Sequence, residues 1–182
     1  MRRAQPLVER PPERIAVPLQ GSPLGLTLTI AGESVLLLPD RALFWNGMLA
    51  VADVHLGKGD HFRAEGLPLP PGELDDDLAR LDRLVAATGA RTVRVLGDLV
   101  HGAVKAATEA RVAEWRAGLR ARLELVPGNH DRHQATLPAS WEVTMLPALV
   151  KEGPFAFSHA PAVVPEAFVW AGHVHPMDLA LN

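Results

Sequence analysis

Five separate apolar runs in this chain stop on side chains that can bind a metal ion or move a proton. Val51-Ala52 leads into Asp53-Val54-His55, Val95-Leu96 into Gly97-Asp98, Leu125-Val126 through Pro127-Gly128 into Asn129-His130-Asp131, Phe157-Ser158 into His159, and Ala171-Gly172 into His173-Val174-His175. Short apolar runs bounded by turn residues read as strands, and open α/β sheets place their active sites just outside strand carboxyl ends. A single such ending is an ordinary turn, and Pro-Gly-Asn by itself is strong turn chemistry. Five in one chain point instead to strands whose ends meet at one polar centre, with Leu125–Asp131 at its middle.

The remaining bounds are compatible with that centre. At 182 residues the chain suits one domain with a substantial core. No apolar run approaches the roughly 20 residues that span a bilayer, so no membrane anchor is expected. Met1-Arg2-Arg3 is followed by prolines and charges and not by an apolar segment, so the expected compartment is the cytoplasm. With no cysteine, a metal must be held by His, Asp, Asn or Glu. The net charge of −3 excludes a protein that coats nucleic acid through bulk positive charge. DNA or RNA would have to be met by local patches or by a metal centre.

Residues 1–23, rich in proline and arginine without a sustained period, read as an irregular arm, and residues 24–182 as the folded domain. Leu26, Leu28 and Ile30 alternate with threonines as in a half-buried strand, and Val35–Leu38 form its hairpin partner. Asn46-Gly47 is a strong hairpin signal, and the strand after it delivers Asp53 and His55. Leu74, Leu78, Leu81, Leu84 and Val85 mark an amphipathic helix that Gly89 ends, with Asp75–Asp77 read as its solvated first turn. A second helix is expected from Lys105 to Leu119, with Ala106, Ala110, Ala113 and Leu119 inward and Trp115 at its margin. Further strands are expected at 92–96, 123–126, 143–146, 155–157 and 168–171. The order of hairpins, helix-strand-helix-strand and more strands predicts an α/β (α+β) fold, a mixed sheet or sandwich flanked by helices.

Two divalent ions about 4 Å apart need a shared anionic ligand and a shell of oxygens and imidazoles, and can stabilise both attacking and leaving oxygens of a phosphoryl transfer. Asp53 and His55 lie two apart on an extended segment, too far along it to meet on one ion unless the chain bends, as do His173 and His175. Gly57 and Gly172 are the expected places for the bends.

Taken in order, Asp53-Val54-His55, Gly97-Asp98-Leu99-Val100-His101, Gly128-Asn129-His130-Asp131, His159 and Gly172-His173-Val174-His175 resemble the motifs of the calcineurin-like metallophosphoesterases. The likeness runs from about residue 26 to 176. The stretches Leu38–Trp45 and Ala52–Lys58 resemble a bacterial branch, the ligase-associated DNA-damage-response endonucleases. The resemblance implies a metallophosphoesterase-type β-sandwich with helices. It implies one metal on Asp53, His55 and His175, a second on Asn129, His159 and His173, and Asp98 bridging them. It further implies His130 as the acid that protonates the leaving oxygen, Asp131 as the residue orienting its ring, and phosphodiester hydrolysis with DNA as substrate and DNA-repair proteins as partners. Sulfur-free ligands suit Mn²⁺, Fe or Zn²⁺, and the resemblance favours Mn²⁺.

The chain departs from the family pattern where His101 replaces an aspartate; it could stand beside the ligands, face substrate or be structural. The sequence also stops seven residues after His175, where relatives continue into further strands, so either the chain is shortened or the sandwich lacks them. Lys58 and Arg63 are the expected holders of substrate phosphate. His61 and His133 read as surface residues, and the four tryptophans as core. The readings that compete with a DNA phosphodiesterase are a nucleotide or sugar-nucleotide pyrophosphatase using the same site, and a non-catalytic scaffold. Retention of His130 and every matched ligand argues against the scaffold.

Overall fold

The computed structural model of the protein describes residues 20–22, 24–132 and 137–173. A meander opens the chain: β1 (Gln20–Ser22), β2 (Gly25–Ile30), β3 (Glu33–Leu38), β4 (Ala42–Trp45) and β5 (Met48–Val51), each antiparallel to the one before. Residues 20–22, counted above with the irregular arm, therefore belong to the sheet. The β4–β5 turn has Asn46 and Gly47 both at positive φ (48° and 77°), the backbone a type I′ hairpin requires.

Next come α1 (Lys58–Ala64), α2 (Glu73–Thr88), β6 (Thr92–Leu96), α3 (Ala106–Gly118), β7 (Arg122–Val126), the single-turn α4 (Asn129–Arg132) and β8 (Val143–Met145). From β5 to β8 the strands are parallel, which completes an eight-stranded mixed sheet in sequence order. A second sheet holds β9 (Leu149–Glu152), β10 (Phe155–Ser158) and β11 (Phe168–Ala171), with β10 central. Strand β9 and helix α1 carry too few residues to show a period, and the sequence did not announce either.

Alternation along the strands splits the core in two. Leu49 and Val51, with Val93, Val95, Leu123 and Leu125, face Leu78, Leu81 and Leu84 of α2 and Val112 and Trp115 of α3. Met48 and Ala50, with Leu96 and Val126, face Phe155 and Phe157 of the second sheet. The parallel strands are covered on both faces, which is why β6 is buried at every position. One charge crosses this second interface: Arg94 pairs with Glu124 and Glu152, each at 2.8 Å, and lies 5.1 Å from the Phe157 ring centroid. Buried charge is tolerated when paired in this way.

Helix α3 corrects its expected inward face. Thr108, Val112 and Trp115 are buried, whereas Ala106 and Ala110 are exposed. Alanine carries little burial energy, so the larger Val112 and Trp115 set the rotation and carry the alanines outward. Among the tryptophans, Trp45, Trp115 and Trp141 are buried and Trp170 is half-buried against the second core. Among the described residues, no helix is long and apolar enough to cross a membrane.

Candidate metal centre

Parallel strands β5, β6 and β7 deliver their carboxyl ends to one edge, and β10 and β11 bring theirs to the same place. The loops after β5 and β6 are laced together by Asp53 N–H to Gly97 O at 3.1 Å, His55 N–H to Asp98 O at 2.9 Å and Leu56 N–H to Leu99 O at 2.8 Å. The required bends lie at Gly57 (φ 83°), as expected, and at the chemical residues themselves. Asp53 (φ 51°), His55 (53°), Asp98 (54°) and His173 (63°) all occupy the left-handed region. Each such residue costs about 1–3 kcal/mol and persists only where its surroundings over-determine it, a concentration typical of functional sites. Gly172, expected as a bend, instead permits a close approach, because a Cβ there would run into Ala52, the Leu96 carbonyl and the Asp53 carboxylate. Gly97 and Gly128 likewise admit the His159 ring and the Asp98 carboxylate, which any larger residue would displace.

Two groups of ligand atoms share Asp98. Asp53, His55 and Asp98 offer atoms within 4.8 Å of one another, and so do Asp98, His159 and His173. Asn129 joins the second group, its Oδ1 2.8 Å from His159 Nε2. The His173 N–H donates to Asp53 Oδ2 at 3.0 Å, which ties the two groups together. His175, expected on the first ion, lies outside the described residues, as does His133.

The donor set fits divalent cations on two observations. His159 Nδ1 is 3.0 Å from the Leu96 carbonyl, which can only accept, so this nitrogen carries the proton. The lone pair on Nε2 then faces Asn129 Oδ1 and, at 3.5 Å, Asp98 Oδ2. Three acceptors converging on one point repel one another unless a proton or a metal cation lies among them. Asp53 Oδ1 is also buried without a hydrogen-bond partner, a costly state that a metal ion relieves.

Asp131 corrects its expected role. Its buried carboxylate accepts from the backbone N–H groups of Asp98 (2.7 Å), Leu99 (2.9 Å), Val100 (3.4 Å) and Gly128 (2.8 Å). Both oxygens are thus spent on the loops that carry Asp98 and Asn129, and the His130 ring is set by other neighbours. Asp131→Ala is expected to leave several buried N–H groups unsatisfied and cost about 3–5 kcal/mol, read as a fall in the urea midpoint. A loss below about 1 kcal/mol would mean the loops hold without it.

His130 and His101 stack at 5.1 Å and 25°, and each meets the His55 ring edge-on. His101 Nδ1 is 3.3 Å from His55 Nδ1. Of the three roles open to His101, the structure places it beside His55, an expected ligand, and His130, the expected acid. His61, expected at the surface, is half-buried and joins the cluster, its ring 4.9 Å from that of His101. Burial is the largest cause holding His55 below its ordinary pKa of 6.5; His101, His130 and Lys58 act the same way, and Asp98 opposes them. His101 is lowered too, by burial first and then by His130 and His61. Both rings are therefore neutral, and able to coordinate, at neutral pH.

For the chelated protein the linkage has a definite sign. The unfolded chain takes up protons near pH 6.5 that the folded chain refuses, so stability is full above that value and falls as pH drops below it. The melting temperature in EDTA should decrease from about pH 7.5 to about 5.5; an unchanged value would contradict the burial argument.

Lys58 remains exposed at the rim of the centre, its ammonium 5.8 Å from the Phe62 ring centroid. Arg63 does not join it. Its guanidinium is bonded to Asp60 (2.8 Å), Glu73 (3.0 Å) and the Pro70 carbonyl (3.0 Å), and Asp60 and then Glu73 hold its pKa above the ordinary value. The unannounced helix α1 is the reason: five residues at about 100° each turn Arg63 well away from Lys58. Arg63 braces α1 against the start of α2 and is not free to hold substrate.

The family model described as calcineurin-like phosphoesterase matches residues 48–164, a span that includes Asp53, His55, Asp98, Asn129, His130 and His159. No curated protein sequence matches the chain. Among solved structures, the Pseudomonas putida nuclease MPE is similar, with a TM-score of 0.74 and 34% sequence identity over 87% of this chain and 74% of that one. The family model covers well over half of the chain, and the chain belongs to the calcineurin-like phosphoesterases, hydrolases of phosphoester bonds.

Proposed function

We propose that this protein is a two-metal nuclease that hydrolyses phosphodiester bonds in DNA. The observation that carries the reading is the sharing of Asp98 between two ligand groups, in a chain one-third identical to a nuclease of the same architecture. When bound, divalent ions at such a centre supply Lewis-acid polarisation of phosphoryl oxygen and a more acidic water. Asp53 and His55, with His175 as the further candidate, would hold one ion, and Asn129, His159 and His173 the other. Oxygen and imidazole donors without sulfur suit Mn²⁺, Fe or Zn²⁺, and the resemblance to the family favours Mn²⁺.

His130 is half-buried between His55 and His101, and its own N–H donates to Asp98 Oδ1 at 2.9 Å. That bond fixes the backbone of the acid to the residue shared by both metal groups. The His130 ring then delivers its proton to the oxygen leaving phosphorus. Lys58 at the rim attracts the substrate phosphate. A place in DNA repair is part of the proposal and rests on the likeness of Leu38–Trp45 and Ala52–Lys58 to the ligase-associated endonucleases.

The test is a side-by-side assay of metal-free protein, resupplied with Mn²⁺, on a model phosphodiester, single- and double-stranded DNA, and free nucleotides. Cleavage of DNA is expected. Turnover confined to nucleotides would replace the nuclease by a pyrophosphatase, and no turnover on any substrate would leave a scaffold.

A further inference from the structure

The metal centre opens on one side into a groove of about 770 Å³, whose inner end is formed by Asp53, His55 and Lys58. Its outer walls are Arg41 from the β3–β4 turn and Arg80 and Arg83 from α2. Arg41 arrives there because β4 runs antiparallel to β5 with Ala42 opposite Val51. The turn before β4 and the ligand-bearing loop after β5 consequently share one sheet edge. Arg80 and Arg83 lie one turn apart on α2, away from the side that buries Leu78, Leu81 and Leu84.

The three arginines are not equivalent. Arg80 is a strut: its Nη1 donates to the Asp40 carbonyl at 2.8 Å and its Nε is 3.9 Å from Asp77. Arg41 and Arg83 are exposed, and among the described residues neither makes a hydrogen bond or an ion pair. Three carboxylates line the groove, Asp76 and Asp77 besides Asp53, against the four cations Arg41, Lys58, Arg80 and Arg83. The positive excess is local, because the whole chain carries −3. The same lining includes Asp53 and His55 of the metal centre. A free guanidinium is the side chain best matched to phosphate, and two of them beyond Lys58 exceed what one scissile phosphate needs.

We propose that this groove carries the nucleic-acid strand on one side of the scissile phosphate, with Arg41 and Arg83 binding flanking backbone phosphates. The proposal rests on the nuclease reading and adds to it the path of the strand. Contacts to phosphate carry no sequence information, so binding along this path is sequence-tolerant.

The experiment compares wild type with Arg41→Glu, Arg83→Glu and the double variant, each with Mn²⁺, on bis(p-nitrophenyl) phosphate and on a labelled single-stranded oligonucleotide. On the small diester, kcat/KM should stay within about twofold, because that substrate does not extend along the groove. On the oligonucleotide the double variant should lose roughly 10-fold or more, mostly in KM. Arg41→Ala and Arg83→Ala should each flatten the log–log salt dependence of oligonucleotide binding by about 0.7, one phosphate apiece. If the wild type cleaves the oligonucleotide and the double variant does so equally well, the groove is not the strand path and the nuclease reading stands. Equal losses on both substrates also overturn the proposal, since the effect would then lie at the centre. A wild type that hydrolyses the small diester but neither binds nor cleaves the oligonucleotide overturns both readings together.

Discussion

Asp98→Ala is expected to bind fewer than two divalent ions per chain and to lose at least about 10³-fold in activity, several kcal/mol of transition-state stabilisation. Asp98 is the one residue common to the two aspartate-containing ligand groups among the described residues. Without it, two closely spaced cations face one another with less anionic charge between them, and their repulsion opposes double occupancy. The substitution also removes the acceptor of the His130 N–H, so the loop that carries His130 loses this link to Asp98. Metal content after dialysis against Mn²⁺ is the direct readout. An alanine variant that still binds two ions stoichiometrically would show that Asp98 does not bridge them.

His130→Ala separates acid chemistry from metal binding. The backbone N–H that meets Asp98 survives the change, and the truncation removes only the ring and its packing against His55 and His101. Metal content should therefore be retained while turnover on DNA falls by about 10²–10⁴, the usual size of a general-acid contribution. Activated aryl diesters expel a leaving group that needs no proton, so on them the loss should shrink. Equal losses on DNA and on aryl diesters would exclude His130 as the acid.

The contrast between Asp131 and Arg63 shows where reading by adjacency stops. Asp131 follows His130 in sequence, and its neighbour's ring looked like its natural partner. Its actual partners include three N–H groups more than 30 positions earlier. Arg63 follows the first metal motif closely enough to suggest the same rim, but a two-turn helix without periodic signal rotates it toward Glu73. Arg41 and Arg83 sit 42 positions apart, and nothing in the sequence relates them until the β4–β5 register and the packing of α2 place them along one groove.

The sequence by itself determined what local physics encodes. Period-2 and period-3.6 patterns set the hairpins and α2, Asn46-Gly47 set a turn, and polar residues at apolar-run ends nominated the ligand set. Only the tertiary structure decided how those ends meet. It put Asp53, His55, Asp98 and His173 into left-handed backbone, shared Asp98 between two groups, and assigned Asp131 to the loops and Arg63 to a brace. The reason is energetic: a strained φ or a buried carboxylate is unfavourable alone and is held only by contacts between distant segments, which no local pattern contains.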